Sequence, residues 1–344
     1  MTRRIRALIV DDSKVIQMLI ADHLKDDPRL EIFGNAFHPL EAFELLKNDK
    51  PDVIILDIEM PHMDGFQFLA ELKKKSMMIP TLVFTSKIKD GTDLAIRAME
   101  SGALHLIEKP HSVREFNSVI TNLKEKLVEI SKIKLDKPLA VSRTHRISAE
   151  QTFLKNKIFL IGSSTGGVGA LSSILPEFPK HSPPILIVQH MPEGFTKGFA
   201  ERMDNLCPMR VIEPENNQLI EPGHIYIAPG GDEHMLAVSE AGELRIFLKK
   251  DEKVNGHRPS VDVLFKSFVG SKTVEPIVLV MTGMGADGAL GMKELSARTK
   301  DLFVQSESTS VVYGMPKVAL EYSPNASVVG LEEIPEKLLE RAKR

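Results

Sequence analysis

A single cysteine, Cys207, in 344 residues has no partner for an intramolecular disulfide and stands in no metal-ligand spacing. That excludes a disulfide framework and a cysteine-based metal centre, fits a reducing cytoplasm, and makes Cys207 an ordinary semi-buried residue. No apolar run approaches the ~20 residues that span a bilayer. The basic start Met1-Thr2-Arg3-Arg4 leads into a short strand that ends in acids, so neither a membrane segment nor a signal peptide is expected. The net charge is only −3, and no cluster of Lys and Arg is interleaved with aromatics, so the chain lacks the electrostatic footprint of a nucleic-acid binder. What it does have is 42% hydrophobic and 26% charged residues, enough for two ordinary globular domains with sizeable cores.

The most informative stretch is residues 157–171. An apolar segment, Lys157-Ile158-Phe159-Leu160-Ile161, breaks into Gly162-Ser163-Ser164-Thr165-Gly166-Gly167 and then a helical run. A short apolar strand that turns through glycines into a helix puts that turn at the carboxyl edge of a parallel sheet, where α/β proteins build their sites. Gly162-x-Ser164-x-Gly166 matches the nucleophile-elbow pattern that projects a serine hydroxyl. The same glycines and serines would also serve as a phosphate cradle at a helix N-terminus. A serine nucleophile needs a base, an orienting carboxylate and N–H donors for the oxyanion, and candidates for each lie downstream.

From residue 5 the chain alternates apolar runs (5–10, 30–36, 53–56, 81–84 and 103–107) with amphipathic helical runs, which predicts a doubly wound parallel sheet. Asp11 and Asp12 end the first strand and Asp57 the third, so three carboxylates converge at the carboxyl edge, where their repulsion calls for a hard cation such as Mg²⁺. Thr85 ends the fourth strand, and Lys109 follows the fifth and precedes Pro110. Taken singly each is a helix cap or a solvated strand end. Together, acids, hydroxyl and lysine can bind metal, accept a phosphoryl group on a carboxylate and stabilise it.

This pattern, with the run Leu56-Asp57-Ile58-Glu59-Met60-Pro61 and the pair Lys109-Pro110, resembles the response-regulator receiver domain over residues 3–125. The resemblance implies a flavodoxin-like fold, Asp57 as phosphoacceptor, and Mg²⁺ held by Asp11, Asp12, Asp57 and the backbone carbonyl of Glu59. It implies Thr85 and Lys109 as phosphoryl contacts. The position three before the lysine, commonly aromatic in that family, is Leu106, with His105 beside it.

Residues 111–135 keep a helical apolar spacing and close this domain; the polar, aperiodic stretch that follows is expected as a hinge, the linker as a whole being residues 126–154. Beyond the Ser164 turn, a second apolar strand at 185–188 ends in Gln189-His190-Met191-Pro192, which brings an imidazole to the edge that carries the serine. A middle region, including His224-Ile225-Tyr226-Ile227-Ala228, reads as β-hairpins forming an antiparallel annex. A third apolar strand at 277–281 leads into Thr282-Gly283-Met284-Gly285-Ala286-Asp287-Gly288. Gly283-x-Gly285-x-x-Gly288 formally matches a dinucleotide fingerprint, with Glu307 the only acid near the spacing a ribose hydroxyl requires. The competing reading gives Asp287 the task of orienting His190, and as a helix N-cap it could do both.

Residues 155–344, with Gly256-His257-Arg258-Pro259-Ser260-Val261-Asp262 in addition to the runs above, resemble the catalytic domain of the chemotaxis protein-glutamate methylesterases, whose full-length members carry a receiver in front. The resemblance implies an α/β esterase with Ser164, His190 and Asp287 as triad, and Met284 N–H at the oxyanion. It implies hydrolysis of glutamate methyl esters on chemoreceptor helices, deamidation of receptor glutamines, and no cofactor at the esterase site. The implied partners are a chemotaxis histidine kinase as phosphodonor and methylated chemoreceptors as substrate; a cytoplasmic monomer is expected. The domain order suggests that the unphosphorylated receiver covers the Ser164 cleft. Arg258 is expected at that cleft, or as a pin for the annex. The rivals are a receiver-controlled adaptor without catalysis and a nicotinamide-linked oxidoreductase using the Gly283 turn; neither accounts for Ser164, His190 and Asp287 each leaving a separate strand end.

Overall fold

A computed structural model describes residues 3–86, 89–110, 112–133, 152–240 and 242–343. The chain divides into two compact units, Met1–Pro138 and Leu139–Arg344. Among the described residues the first unit alternates β1 (Ile5–Val10), α1 (Lys14–Lys25), β2 (Leu30–Ala36), α2 (Pro39–Leu46), β3 (Val53–Leu56), α3 (Gly65–Lys74), β4 (Thr81–Thr85), α4 (Lys89–Glu100), β5 (His105–Glu108) and α5 (Val113–Ile130). The strands pair in parallel in the order β2-β1-β3-β4-β5. Helices lie on both faces of such a sheet, so the central strands are buried on both sides: β3 reads Val-Ile-Ile-Leu with every residue buried, whereas edge strand β2 is buried only at Leu30 and Ala36. Helix starts follow capping chemistry. Ser13 caps α1 through Ile16 N–H, and Asp64 and Gln67 form a reciprocal capping box on α3. Leu106 faces the core of β5 at 3% exposure, and His105 is half-buried. Helix α5 extends to Ile130, inside the stretch expected as a linker from 126 on; residues 134–151 of that linker lie outside the described residues.

The second unit is built on β6 (Lys157–Ser163), α6 (Gly167–Ile174), β7 (Ile185–Gln189), α7 (Phe195–Asp204), β8 (Arg210–Ile212), β9 (Gln218–Leu219), β10 (His224–Ile227), β11 (Glu233–Glu240), β12 (Glu243–Lys250), α8 (Val261–Lys266), β13 (Glu275–Val280), α9 (Ala289–Leu295), β14 (Leu302–Gln305), α10 (Met315–Tyr322), β15 (Ser327–Val329) and α11 (Ile334–Ala342). Its main sheet has the order β15-β14-β13-β6-β7-β10-β8, and β9, β11 and β12 form a separate antiparallel sheet. One expectation is corrected here. The 224–228 run belongs to the parallel sheet, between β7 and β8, and not to the hairpin annex. Its alternating appearance misleads because Ile225, Tyr226 and Ile227 are all buried; the Tyr226 hydroxyl finds partners on both sides, donating to Leu219 O (3.0 Å) and accepting from Glu221 N–H (2.9 Å).

The core wraps this sheet. Phe159 and Phe178 pack edge to face at 5.7 Å, both with no exposed surface, and truncating either to alanine should cost about 3–5 kcal/mol. Cys207 is half-buried, and burial, aided by Asp204, pushes its thiol up to about 12, so it is an inert packing group. No helix among the described residues is long and apolar enough to cross a membrane.

Candidate active site

Strand β6 is buried throughout and ends at Ser163, so Ser164 opens the turn at the carboxyl edge of the sheet. The neighbours of β6 are β13 on one side and β7 on the other. Ser164 N–H donates to Thr282 O just beyond β13 (3.0 Å), and His190 N–H, just beyond β7, donates to Ser163 O (3.2 Å). Three adjacent strand ends therefore deliver Ser164, His190 and the 282–288 turn to one edge, as the order of apolar runs in the sequence suggested.

Two buried side chains lock these ends together. Gln189 Nε2 donates to Ser164 O (3.0 Å) and His190 O (3.1 Å), while its Oε1 accepts from Ser163 Oγ (2.7 Å). A Cβ on Gly167 would stand 2.1 Å from that Oε1, which explains why the elbow ends in a glycine pair. On the other side, the Thr282 hydroxyl donates to Thr165 O (2.9 Å) and accepts from Val312 N–H (3.0 Å), while Thr282 N–H donates to Gln305 Oε1 (2.8 Å). Gly283 passes directly under the serine: a Cβ there would lie 2.8 Å from Ser164 Cβ and 2.3 Å from Met315 Sδ. The next residue, Met284, is half-buried.

His190 Nε2 lies 2.9 Å from Asp287 Oδ2, the two side chains being 6% and 1% exposed. Asp287 also accepts from Val261 N–H on Oδ2 (2.7 Å), and on Oδ1 from Ser260 Oγ (2.8 Å), Asn255 Nδ2 (3.0 Å) and Asp262 N–H (3.1 Å). Burial by itself would raise its pKa, but the hydrogen bond and charge of His190, then Asn255 and Ser260, outweigh burial and hold the carboxyl well below its ordinary value. An ionised carboxylate only accepts, so Nε2 carries a proton, and in the neutral ring Nδ1 is the bare nitrogen. That Nδ1 is buried and has no hydrogen-bond partner. Asp287 is not a helix cap, because α9 begins at Ala289 and its N-cap is Gly288, with no side-chain cap.

Several residues to which the sequence reading gave no role frame this pair. Ser260 and Asn255 hold Asp287, and the His257 ring stacks on His190 with centroids 3.7 Å apart and planes 8° apart. The Asn255-Gly256 dipeptide, a tight-turn signature, was the available signal. Arg258 donates from Nη1 to Asp251 O (2.6 Å) and from Nε to Gly231 O (3.4 Å), so its recorded contacts pin the two ends of the β11–β12 hairpin.

In the first unit one carboxylate oxygen from each of Asp11, Asp12 and Asp57 lies within 4.8 Å of the others. Asp11 and Asp57 are buried and Asp12 is exposed. Lys109 Nζ bridges Asp57 Oδ2 (2.6 Å) and Asp11 Oδ2 (2.8 Å). Burial opposes its charge, yet Asp57 and Asp11 prevail and hold the ammonium pKa above the ordinary lysine value; burial pushes Asp11 upward. Asp57 Oδ1 accepts from Ile58 N–H (2.7 Å) and Glu59 N–H (3.4 Å). The Thr85 hydroxyl is fully buried and has no partner. A trio of hard carboxylate oxygens fits a divalent cation such as Mg²⁺.

The CheB methylesterase family profile matches residues 159–338, and the response regulator receiver domain profile matches residues 7–121. A Halalkalibacterium halodurans protein named protein-glutamate methylesterase/protein-glutamine glutaminase is 39% identical over 349 residues, covering 100% of both chains. A protein of that name from Bordetella bronchiseptica is 38% identical over 98% of this chain and 97% of its own length. The crystal structure of the Thermotoga maritima CheB methylesterase catalytic domain shares 39% identity and a TM-score of 0.52, covering 55% of this chain and 100% of that one.

Proposed function

Because this chain belongs to the CheB methylesterase family and carries the family's receiver domain in front, we propose that it is a phosphorylation-activated serine esterase that cleaves glutamate methyl esters on chemoreceptor helices. The observation that carries the reading is the His190–Asp287 pair, with Nδ1 bare and Ser164 leaving the adjacent strand.

Ser164 Oγ attacks the side-chain ester carbonyl as its proton passes to His190 Nδ1, and Asp287 holds the resulting imidazolium. The Met284 N–H meets the oxyanion; one such donor is worth about 10²–10³ in turnover. Collapse of the tetrahedral intermediate breaks the C–O bond to the methoxy group, which departs as methanol with the His190 proton. Water then adds to the acyl-serine, gives its proton to His190, and frees the glutamate and Ser164. The relatives' names include glutaminase, and the same steps on a receptor glutamine would release ammonia.

Control is assigned to the first unit. A histidine kinase would phosphorylate Asp57; Asp11 and Asp12 would hold Mg²⁺ with Asp57 and the Glu59 carbonyl, and Thr85 and Lys109 would receive the phosphoryl oxygens. Bound Mg²⁺ supplies positive charge that offsets the charge on the transferring phosphoryl group. The unphosphorylated receiver restrains the esterase, and phosphorylation relieves it.

The test is methanol release from a methylated receptor fragment, with and without a small phosphodonor and Mg²⁺, by wild type, Ser164→Ala and Asp57→Ala. Release that needs Ser164 and accelerates only when Asp57 is present supports both parts. Release that survives Ser164→Ala removes the triad reading, and wild-type protein without any release leaves the adaptor reading.

A further inference from the structure

The segment between β12 and α8 contains a two-residue turn. Val254 N–H donates to His257 O (3.1 Å), His257 N–H donates to Val254 O (2.9 Å), and Asn255 and Gly256 between them have φ of +54° and +80°. Paired positive φ values are the mark of a type I′ turn, for which Asn-Gly is the favoured sequence. The turn presents both of its polar side chains to the same place. Asn255 lies at the surface, but its Nδ2 reaches Asp287 Oδ1 (3.0 Å) and Asp262 Oδ2 (2.7 Å). Both acceptors are carboxylate oxygens, so the amide nitrogen must face them. His257 lies flat on His190.

The two carboxylates are buried neighbours, Asp262 at 3% and Asp287 at 1% exposure. Asp262 also accepts from Gly291 N–H (2.7 Å), but Asn255 is the side chain recorded as bonding both acids. Like charges this close are costly unless a neutral donor is shared between them. The groups facing the His190 ring are then Asp287 at Nε2 and His257 on its face, with Asp262 one step behind Asp287.

We propose that the Val254–His257 turn is a positioning element for the His190–Asp287 pair: Asn255 spaces Asp262 from Asp287 and aims the Asp287 carboxylate, and the His257 ring fixes the plane of His190. The inference deepens the esterase reading and rests on it. A neutral ring over His190 favours the imidazolium formed during turnover, whereas protonated His257 opposes it.

Asn255→Gly keeps the left-handed backbone and removes the amide; Asn255→Asp keeps shape and backbone but inserts a third acid. Misalignment of a positioned group costs up to about 10²-fold, so Asn255→Gly should lower kcat about tenfold with KM unchanged, and Asn255→Asp should lower it about tenfold further. His257→Ala should lower kcat, and His257→Phe, which retains a flat ring, should restore most of it. Nitrogen-15 spectra of the His190 ring give a readout independent of turnover: wild type should show the proton on Nε2, and Asn255→Asp should change that tautomer balance. Asn255→Gly and Asn255→Asp alike in kcat and in the His190 spectrum, or a loss confined to KM, overturns the proposal. A wild-type protein that shows the expected ring spectrum but releases no methanol instead overturns the esterase reading and leaves the positioning role standing.

Discussion

His190 and Asp287 meet through Nε2 and Oδ2 at 2.9 Å, while Nδ1 of the same ring is buried and has no partner. With the ring neutral, its proton therefore sits on Nε2, on the side of the carboxylate. This is the reverse of the ring orientation in chymotrypsin-type triads, where Nδ1 faces the acid.

Exchanging the acid for an amide should expose this arrangement. In Asp287→Asn the amide can donate to Nε2 and stabilise the wrong tautomer, so kcat should fall about 10⁴-fold with substrate binding retained. Nitrogen-15 spectra of the ring would follow the proton directly, and a variant that keeps the wild-type tautomer and rate would dismiss Asp287 as the orienting group.

Packing under the serine offers a second prediction. Because a Cβ on Gly283 would press on Ser164 Cβ at 2.8 Å and Met315 Sδ at 2.3 Å, Gly283→Ala should displace the hydroxyl. A shift of about 1 Å costs on the order of 10²-fold in turnover. Methanol release compared with the melting temperature separates this from global damage; wild-type kcat in Gly283→Ala would mean that the turn has slack.

Thr85 permits a test in which stability and signalling move apart. Its buried hydroxyl lacks a partner, a condition that costs about 1–3 kcal/mol. Thr85→Val has nearly the same shape, so the first unit should unfold at higher urea concentration, while acceleration by a small phosphodonor should weaken. A destabilised Thr85→Val protein, or one with an undiminished response, contradicts the phosphoryl-contact role.

Acid should uncover the Asp287 contribution. Its native pKa lies below the ordinary 3.8, so this stabilisation is complete above that pH and is lost as pH falls through the native value. Each pH unit by which the native value lies below the unfolded one contributes about 1.4 kcal/mol. The stability gap between wild type and Asp287→Asn, from urea unfolding of the second unit's transition, should be constant at neutral pH and shrink below about pH 4. A gap that persists unchanged into strong acid would show that Asp287 contributes through shape alone.

Much of this was legible from periodicity and position. The βα alternation gave the first sheet, and the strand-to-turn junctions at Ser164, His190 and Gly283 marked one edge of the second because parallel strands share the end at which they stop. The run around Tyr226 escaped that logic: four residues, His224–Ile227, cannot distinguish a hairpin from a buried parallel strand, and only the pairing with Ile185 to Ile187 decides it. Asn255, His257 and Gln189 were invisible as a group because their roles depend on contacts between segments remote in sequence. Arg258 was ambiguous for a related reason, since backbone carbonyls, the acceptors it uses, leave no trace in a sequence.

The order β13-β6-β7 also has a consequence for how the molecule is made. Strand β6 takes a parallel partner, β13, that begins at Glu275, and the imidazole waits for a carboxylate 97 residues further along the chain. A ribosome-bound chain stopped before that point holds the serine and the histidine but has no means to orient them. Because Asp287 is made after Ser164 and His190, the His190–Asp287 pair forms late, and the unfinished polypeptide is synthesised without it.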